Sequence, residues 1–190
     1  MIDLFELGDV FDSFTLDELR AELSAAAGRA ATVYGHQAEG AVEIRVRKVA
    51  RLTVSLETSE RIQRQLLSRK GVIEEHFGIP LTDCEVPQFL RYETGDFFVA
   101  HQDGNTPLIL DDSRFRKISV VVFLSTPSAE PAPDTYGGGA LVFHGPYSGP
   151  TLRIPVTPAP GTLIAFRAET THEVTPVTHG ERYSIVSWFR

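Results

Sequence analysis

The sequence is poor in cysteine and has no long apolar run. It contains one cysteine, Cys84, so no internal disulfide can form, which fits a reducing compartment. No stretch of 18 apolar residues occurs, and the N-terminal segment MIDLFELGDVFDSF carries three acids in its first ten residues where a signal peptide has a basic segment. We therefore expect a cytoplasmic protein without a membrane partner, in which Cys84 is a small buried residue.

Positive charge is also scarce. The 18 Lys and Arg residues face 25 Asp and Glu residues, a net charge of -7, whereas a general nucleic-acid binder usually shows a basic face. The 42% hydrophobic and 23% charged composition is ordinary for a globular protein, and 190 residues can bury a core without a disulfide or a structural metal. We expect one domain over residues 1–190 and no nucleic-acid partner. Oligomeric state leaves no signal in the sequence.

The N-terminal region, residues 1–85, opens with a helix signature. Thr15 and Glu18 have the spacing of a capping box, and Phe14 and Leu19 have that of a hydrophobic staple. These signals predict a helix that begins near Thr15.

Two further patterns follow before residue 86. Residues 41–54 alternate apolar and charged side chains, which predicts a strand with one wet face. Residues 57–78 return to helical spacing, although Gly71 argues against a single unbroken helix. The predicted buried stripe of this region consists of Ile62, Leu66, Ile73 and Phe77.

From residue 86 onward, short β-rich runs follow one another between Gly, Pro, Asp and Ser clusters. This pattern predicts an all-β sandwich or barrel over residues 86–190. Residues 126–139, TPSAEPAPDTYGGG, are interpreted as a surface connection that ends in a tight glycine turn. The predicted fold class is mostly β with flanking helices (α+β), in which residues 1–85 support the β core.

The stretch RYETGDFFVAHQDGN places His101 and Asp103 two residues apart at the end of an aromatic run. Residues i and i+2 of a strand point to the same face, so both side chains can reach one point. Such a pair alone is often a surface feature. His172, late in the β region, adds a second imidazole, and two histidines with one carboxylate are the ligand set of non-haem Fe(II) oxygenases.

Residues 86–190 resemble the Fe(II)- and 2-oxoglutarate-dependent dioxygenases, in particular the prolyl 4-hydroxylase-like branch. The matching segments, in chain order, are RYETGDFFVAHQD, RKISVVVFLS, YGGGALVF, PGTLIAF and HEVTPVTHGERYSI. The resemblance implies a double-stranded β-helix, or jelly roll, with a metal inside one mouth. Phe98 departs from the pattern, because that branch often has tyrosine there. Residues 1–85 have no comparably specific match.

The resemblance also implies roles for individual residues. Arg182 would pair with the far carboxylate of 2-oxoglutarate, since a planar, always charged guanidinium matches a carboxylate in two places. Ser184 would add a hydroxyl from the same face, Tyr92 would hydrogen-bond the co-substrate, and Val174 would pack against its methylenes. The implied metal ligands are His101, Asp103 and His172.

The implied activity is hydroxylation of a C–H bond with release of succinate and CO2. Fe(II), 2-oxoglutarate and O2 are the implied cofactors, with ascorbate as a candidate reductant. A prolyl residue in a peptide or protein is the favoured substrate, and a free amino acid or other small metabolite is the alternative. A non-catalytic metal-binding or cupin-like module also stays open, because a fold does not determine function.

Several residues near the predicted site have no assigned role. Arg45 and Arg47 are most simply a solvated face, and the sharper hypothesis is that one of them meets an anionic group of the substrate. Residues 104–116 can form a mobile lid, and residues 144–152 form a further loop. The remaining histidines are interpreted as surface or turn residues, namely His36, His76, His144 and His179.

Overall fold

The structure, a computed structural model, describes residues 2–31, 46–107, 109–145 and 152–190. Within these ranges the chain forms three α-helices, one 3-10 turn and fifteen strands. None of the helices in the described ranges has the length and apolar character needed to cross a membrane. The helices are Ser13–Ala25 (α1), Leu56–Leu67 (α2) and Lys70–Phe77 (α3), and the 3-10 turn covers Asp112–Phe115.

The strands form three sheets. In chain order they are Leu4–Leu7 (β1), Gly28–Ala30 (β2), Arg47–Lys48 (β3), Ala50–Leu52 (β4), Gln88–Tyr92 (β5), Phe97–His101 (β6), Ile118–Phe123 (β7), Thr126–Pro127 (β8), Thr135–Gly138 (β9), Leu141–His144 (β10), Arg153–Val156 (β11), Leu163–Arg167 (β12), His172–Val174 (β13), Val177–Gly180 (β14) and Arg182–Phe189 (β15). The large sheet has the order β1-β12-β7-β15-β5-β4-β2, the second sheet β11-β10-β13-β6-β3, and the small sheet β14-β9-β8.

Strand β7 shows how the layers stack. Its sequence ISVVVF is almost continuously apolar because both of its faces are covered. Val120 and Val122 belong to a core cluster with the helices, whereas Val121 and Phe123 belong to a second cluster shared with the five-stranded sheet. The large sheet therefore lies between the helical layer and the five-stranded sheet.

The helical layer packs on the outer face of the large sheet. All four residues of the predicted stripe are buried in that core, which confirms the helical pattern of residues 57–78. The helix is indeed broken, but the break is at Ser68 and Arg69, between α2 and α3, and Gly71 lies inside α3.

The start of α1 differs from the predicted capping box. Asp12, and not Thr15, is the N-cap, and its carboxylate accepts a 2.7 Å hydrogen bond from the Thr15 N–H. Glu18 instead pairs with Arg61 at 3.0 Å, and Phe14 is 70% exposed, so the predicted staple does not form. The carboxylate three residues before Thr15 satisfies the free N–H, which leaves no role for a cap at Thr15.

Two predicted segments also change. Residues 126–139 are not only a surface connection, because β8 and β9 pair there and Tyr136 is buried. The predicted strand at 41–54 lies partly outside the described residues. Its described part is divided between β3 and β4, which join different sheets.

Candidate metal and co-substrate site

The two histidines of the predicted triad meet across paired strands. His101 ends β6, His172 begins β13, and the two residues are direct partners in the antiparallel register. Their ring centroids are 4.2 Å apart. Together with Asp103 they offer three ligand atoms that all lie within 4.8 Å of one another, the only such group of three among the described residues.

Asp103 reaches this cluster from outside the strand. Strand β6 ends at His101, so the prediction that both residues share a strand face is wrong in its detail. The backbone N–H groups of Asp103 and Gly104 both donate to the carbonyl of Ala168, at 2.9 and 3.1 Å. The Ser119 hydroxyl donates to the Asp103 carboxylate at 2.7 Å. Backbone and side chain of Asp103 are thus held by two different neighbouring segments.

Backbone carbonyls set the orientation of both imidazoles. Nδ1 of His101 lies 2.8 Å from the Val99 carbonyl, and Nδ1 of His172 lies 2.9 Å from the Thr170 carbonyl. A carbonyl can only accept, so both Nδ1 atoms carry the proton and both Nε2 atoms present a lone pair. The Nε2 atoms are 3.5 and 3.6 Å from the Asp103 oxygens, which is longer than a good hydrogen bond. This donor set fits a divalent cation held by two neutral imidazoles and one carboxylate.

Electrostatics keep His172 and Asp103 in the protonation states that a metal needs. Burial lowers the pKa of His172 to about 4, so this imidazole is neutral at neutral pH. Burial alone would raise the pKa of the Asp103 carboxyl, but the imidazoles of His172 and His101 outweigh it and leave this pKa well below its usual range. The carboxylate is therefore ionised.

The guanidinium of Arg182 is buried in the same cavity as the triad. The wall of this cavity contains Arg182 and Ser184 together with all three residues of the triad. Arg182 is 1% exposed, and its Nη1 donates to the Ser184 hydroxyl at 3.1 Å. Its Nε has no hydrogen-bond partner, and no carboxylate of a described residue forms an ion pair with it. A buried cation with these open donors fits the carboxylate of a small ligand.

Aromatic and apolar side chains complete the cavity. Tyr92 is the register partner of Arg182, and its ring lies 5.2 Å from the guanidinium carbon. Burial raises the pKa of the Tyr92 phenol, so its hydroxyl is a neutral donor. Val174 lies two residues after His172 and lines the same cavity, and Phe98 stacks on the His101 ring at 3.5 Å. The structure thus brings together all seven predicted site residues.

An outer layer of the site was not predicted. Arg116 stacks over the ring of Trp188 at 3.7 Å, and its Nη1 lies 3.4 Å from the Asp103 carbonyl oxygen. Glu85 accepts from Arg116 at 2.7 Å and from Arg190 at 3.0 Å. Ser119, which donates to Asp103, was not predicted either. It is the one unpredicted contact of the triad that the sequence could have suggested, because it is the single polar residue in the apolar run of β7.

The other described histidines lie outside the triad. His76 pairs with Asp3 at 3.0 Å, and His144 lies 3.4 Å from Glu173. His179 belongs to β14, and its ring lies against Gly137. His36 and Arg45 are outside the described residues. Cys84 is buried as predicted, and burial raises the pKa of its thiol to about 11.

Comparison with known proteins agrees with this geometry. The family described as the 2OG-Fe(II) oxygenase superfamily matches residues 87–190. A PKHD-type hydroxylase of Shewanella sp. strain MR-4 is 29% identical over 98% of this chain and 78% of that protein.

Solved structures share the architecture. A Pseudomonas putida prolyl-4-hydroxylase aligns with a TM-score of 0.72 and 21% identity over 100% of this chain and 93% of that chain. A Trichoplax adhaerens prolyl hydroxylase in complex with a hypoxia inducible factor peptide fragment aligns with a TM-score of 0.68 and 17% identity over 100% and 84% of the two chains. These alignments confirm the predicted jelly-roll fold. The chain belongs to the 2OG-Fe(II) oxygenase superfamily and is an enzyme that uses Fe(II), 2-oxoglutarate and O2.

Proposed function

We propose that this enzyme hydroxylates a C–H bond of a prolyl residue in a peptide or protein. In this proposal His101, Asp103 and His172 hold Fe(II) through two neutral Nε2 atoms and one carboxylate. The chemistry that Fe(II) supplies when bound is activation of O2, with one oxygen atom entering the substrate and the other entering succinate as 2-oxoglutarate loses CO2. The protein supplies ligands, orientation and shielding from water.

The observation that carries the proposal is the buried guanidinium of Arg182. A cation with 1% exposure and no ion-pair partner among the described residues is costly unless a ligand supplies the counter-charge. Arg182 and Ser184 would bind the far carboxylate of 2-oxoglutarate, Tyr92 would donate its neutral hydroxyl, and Val174 would pack against the methylenes. The non-catalytic alternative has no use for such a charge, and family membership sets it aside.

The prolyl substrate is supported by the names of related proteins. The Shewanella relative is called a PKHD-type hydroxylase, and the two solved structures are prolyl hydroxylases, one of them with a peptide bound. Hydroxylation of a free amino acid or small metabolite is the alternative, and the turnover assay described next distinguishes the two substrate classes.

The test combines binding with turnover. Anaerobic addition of 2-oxoglutarate to the Fe(II) enzyme should produce a visible charge-transfer band, and admission of air should yield succinate. Prolyl peptides, free L-proline and other free amino acids are then compared for stimulation of succinate release and for a mass gain of one oxygen atom. Absence of both the band and succinate would refute the proposed cofactor roles, whereas oxidation of free amino acids alone would favour the small-molecule alternative.

Two further proposals concern the reductant and the location of the protein. Ascorbate is the proposed reductant, and a higher succinate yield in its presence would support it. A cytoplasmic location still rests on the single cysteine.

A further inference from the structure

The cavity that contains Arg182 and the three predicted metal ligands is called the cofactor cavity here. A second, open groove adjoins it at His101 and Asp103. Its wall includes Arg47, Phe98, His101, Asp103 and Trp188, which also line the cofactor cavity. Ile109, from the segment after Asp103, also lines the groove. The groove therefore leads from the surface to the metal ligands on a path that Arg182 does not line.

The wall of this groove is positively charged in a chain of net charge -7. Arg47, Arg51 and Arg116 all line it, and its one carboxylate among the described residues is Asp103, which the metal would use. Arg116 shares a single carboxylate, that of Glu85, with a second arginine. Arg47 and Arg51 have intramolecular partners of their own, so a bound anion would add to or exchange with these. The positive charge of the groove wall nevertheless favours an anionic ligand.

Arg47 is the arginine of this wall that also lines the cofactor cavity. It is the register partner of Phe98 between β3 and β6, and its guanidinium carbon lies 4.6 Å from the Phe98 ring centroid. Phe98 in turn stacks on His101, with ring centroids 3.5 Å apart and planes 16° apart. The guanidinium is thus the outer layer of a stack whose inner layer is a metal ligand. The planar edge of a ring-stacked guanidinium is the part that can bind a carboxylate, in addition to or in exchange for its present partner.

We propose that the primary substrate carries a carboxylate close to the hydroxylated carbon and that Arg47 binds this carboxylate, with Arg51 and Arg116 extending the positive wall outward. This inference rests on the proposed function and narrows its substrate class. Phe98 has no hydroxyl, so its ring serves here as the platform for Arg47. The carboxylate can belong to an acidic residue next to proline in a peptide, or to the backbone carboxylate of a free amino acid.

The test uses substrate pairs that differ only in the charge of one group. Prolyl peptides with Glu or Gln beside the proline form one pair, and L-proline with L-prolinamide forms the other. Binding is followed without turnover by the fluorescence of Trp188, the only tryptophan of the chain, in the anaerobic Fe(II) and 2-oxoglutarate complex. Wild type is compared with Arg47→Gln, with Arg47→Lys, and with Arg64→Gln, which removes the same charge from an exposed position on α2.

The wild type and Arg64→Gln should bind the carboxylate member of at least one pair about tenfold more tightly than its amide partner. A difference of this size is expected for one ion pair that is partly shielded from water. Arg47→Gln should lose this preference, and Arg47→Lys should keep part of it. A preference in the peptide pair alone identifies an acidic peptide, and one in the proline pair alone identifies a free amino acid. Equal affinity within both pairs, or an unchanged preference in Arg47→Gln, would overturn the inference. A missing charge-transfer band in the wild type would instead refute the cofactor roles.

Discussion

Arg182 and Asp103 are opposite charges that the fold holds in one largely apolar cavity, and their surroundings differ. Asp103 has two imidazoles and the Ser119 hydroxyl as partners. Arg182 has one neutral hydroxyl and two aromatic rings, at 5.2 and 4.9 Å from its guanidinium carbon. Because a buried charge without a counter-charge costs on the order of several kcal/mol, a carboxylate ligand would remove a penalty already built into the folded protein.

The substitution Asp103→Ala should abolish Fe(II)-dependent succinate formation while the fold remains. The change removes one of three ligands and the acceptor of the Ser119 hydroxyl, whereas the backbone N–H of residue 103 can still donate to Ala168. Iron content after desalting and far-UV circular dichroism are measured beside succinate release. Full activity with normal iron content would remove Asp103 from the ligand set.

The substitution Arg182→Lys should raise the apparent KM for 2-oxoglutarate by about tenfold or more, since a point charge replaces a two-pronged donor in a buried site. Succinate release as a function of 2-oxoglutarate concentration measures the change. The exposed Arg64→Lys is the matched control, for which no change is expected. An unchanged KM in Arg182→Lys would show that another group binds the far carboxylate.

The metal-free protein should lose stability on acidification through His172. Burial lowers the folded-state pKa to about 4 from the ordinary 6.5, so the unfolded chain takes up the proton first. This contribution to the free energy of unfolding is present in full above pH 6.5 and is lost as the pH falls towards 4, up to on the order of 3 kcal/mol. Urea unfolding with chelator across this range measures it. His172→Leu should decline less steeply, and an equal decline would contradict the assignment.

Among the elements, the small sheet β14-β9-β8 supports the entry to β15, the strand that carries Arg182. Gly180 ends β14 with a φ of 68°, and its backbone packs so closely on Thr135 that a Cβ would overlap the Thr135 carbonyl. Glycine is needed there both for the left-handed conformation and for the close approach. A turn between β14 and β15 thus depends on one residue two positions before the buried guanidinium.

Two Gly→Ala substitutions should therefore have opposite effects. Gly180→Ala should lower the free energy of unfolding by about 1–3 kcal/mol through strain and overlap. Gly71→Ala should raise it by up to about 1 kcal/mol, because Gly71 is helical and a Cβ there meets nothing within 4 Å. Chemical denaturation of both variants beside wild type measures the two changes. A stabilising Gly180→Ala would show that the turn can relax without loss.

Across the whole molecule, the N-terminal region, residues 1–85, contributes strands to the large sheet and to the five-stranded sheet. Strand β1 pairs with β12, β4 pairs with β5, and β3 pairs with β6. The core cluster on the outer face combines α1, α2 and α3 with β7, β12 and β15. We infer that residues 1–190 form one folding unit and that residues 1–85 are not a separable support.

The fragment of residues 87–190 should therefore fail to fold by itself. It would expose the outer face of the large sheet, including Val120, Val122 and Ile185, which the helices now cover. Amide dispersion in two-dimensional NMR and thermal unfolding compare the fragment with the full chain. A dispersed spectrum and a cooperative transition in the fragment would divide the chain into two units.

Elements that obey a local rule were predictable from the order of the residues alone. The buried stripe of α2 and α3 follows from helical spacing, and the apolar run of β7 follows from a strand covered on both faces. The alternation along β15 determined that Arg182 and Ser184 point the same way. The ordered motifs around His101, Asp103, His172 and Arg182 were sufficient to indicate the fold and the ligand set.

Which distant groups come into contact could not be predicted before the packing of the sheets was known. His101 and His172 are partners in the register of β6 and β13. Asp103 lies beyond the end of β6, and its backbone N–H donates to the Ala168 carbonyl, which holds it beside the two histidines. The Ser119 hydroxyl donates to Asp103, and the Arg47 guanidinium lies over the Phe98 ring. No local sequence pattern predicts either of these contacts. The physical reason is that these contacts join residues far apart in the chain, so their geometry depends on how complete layers pack.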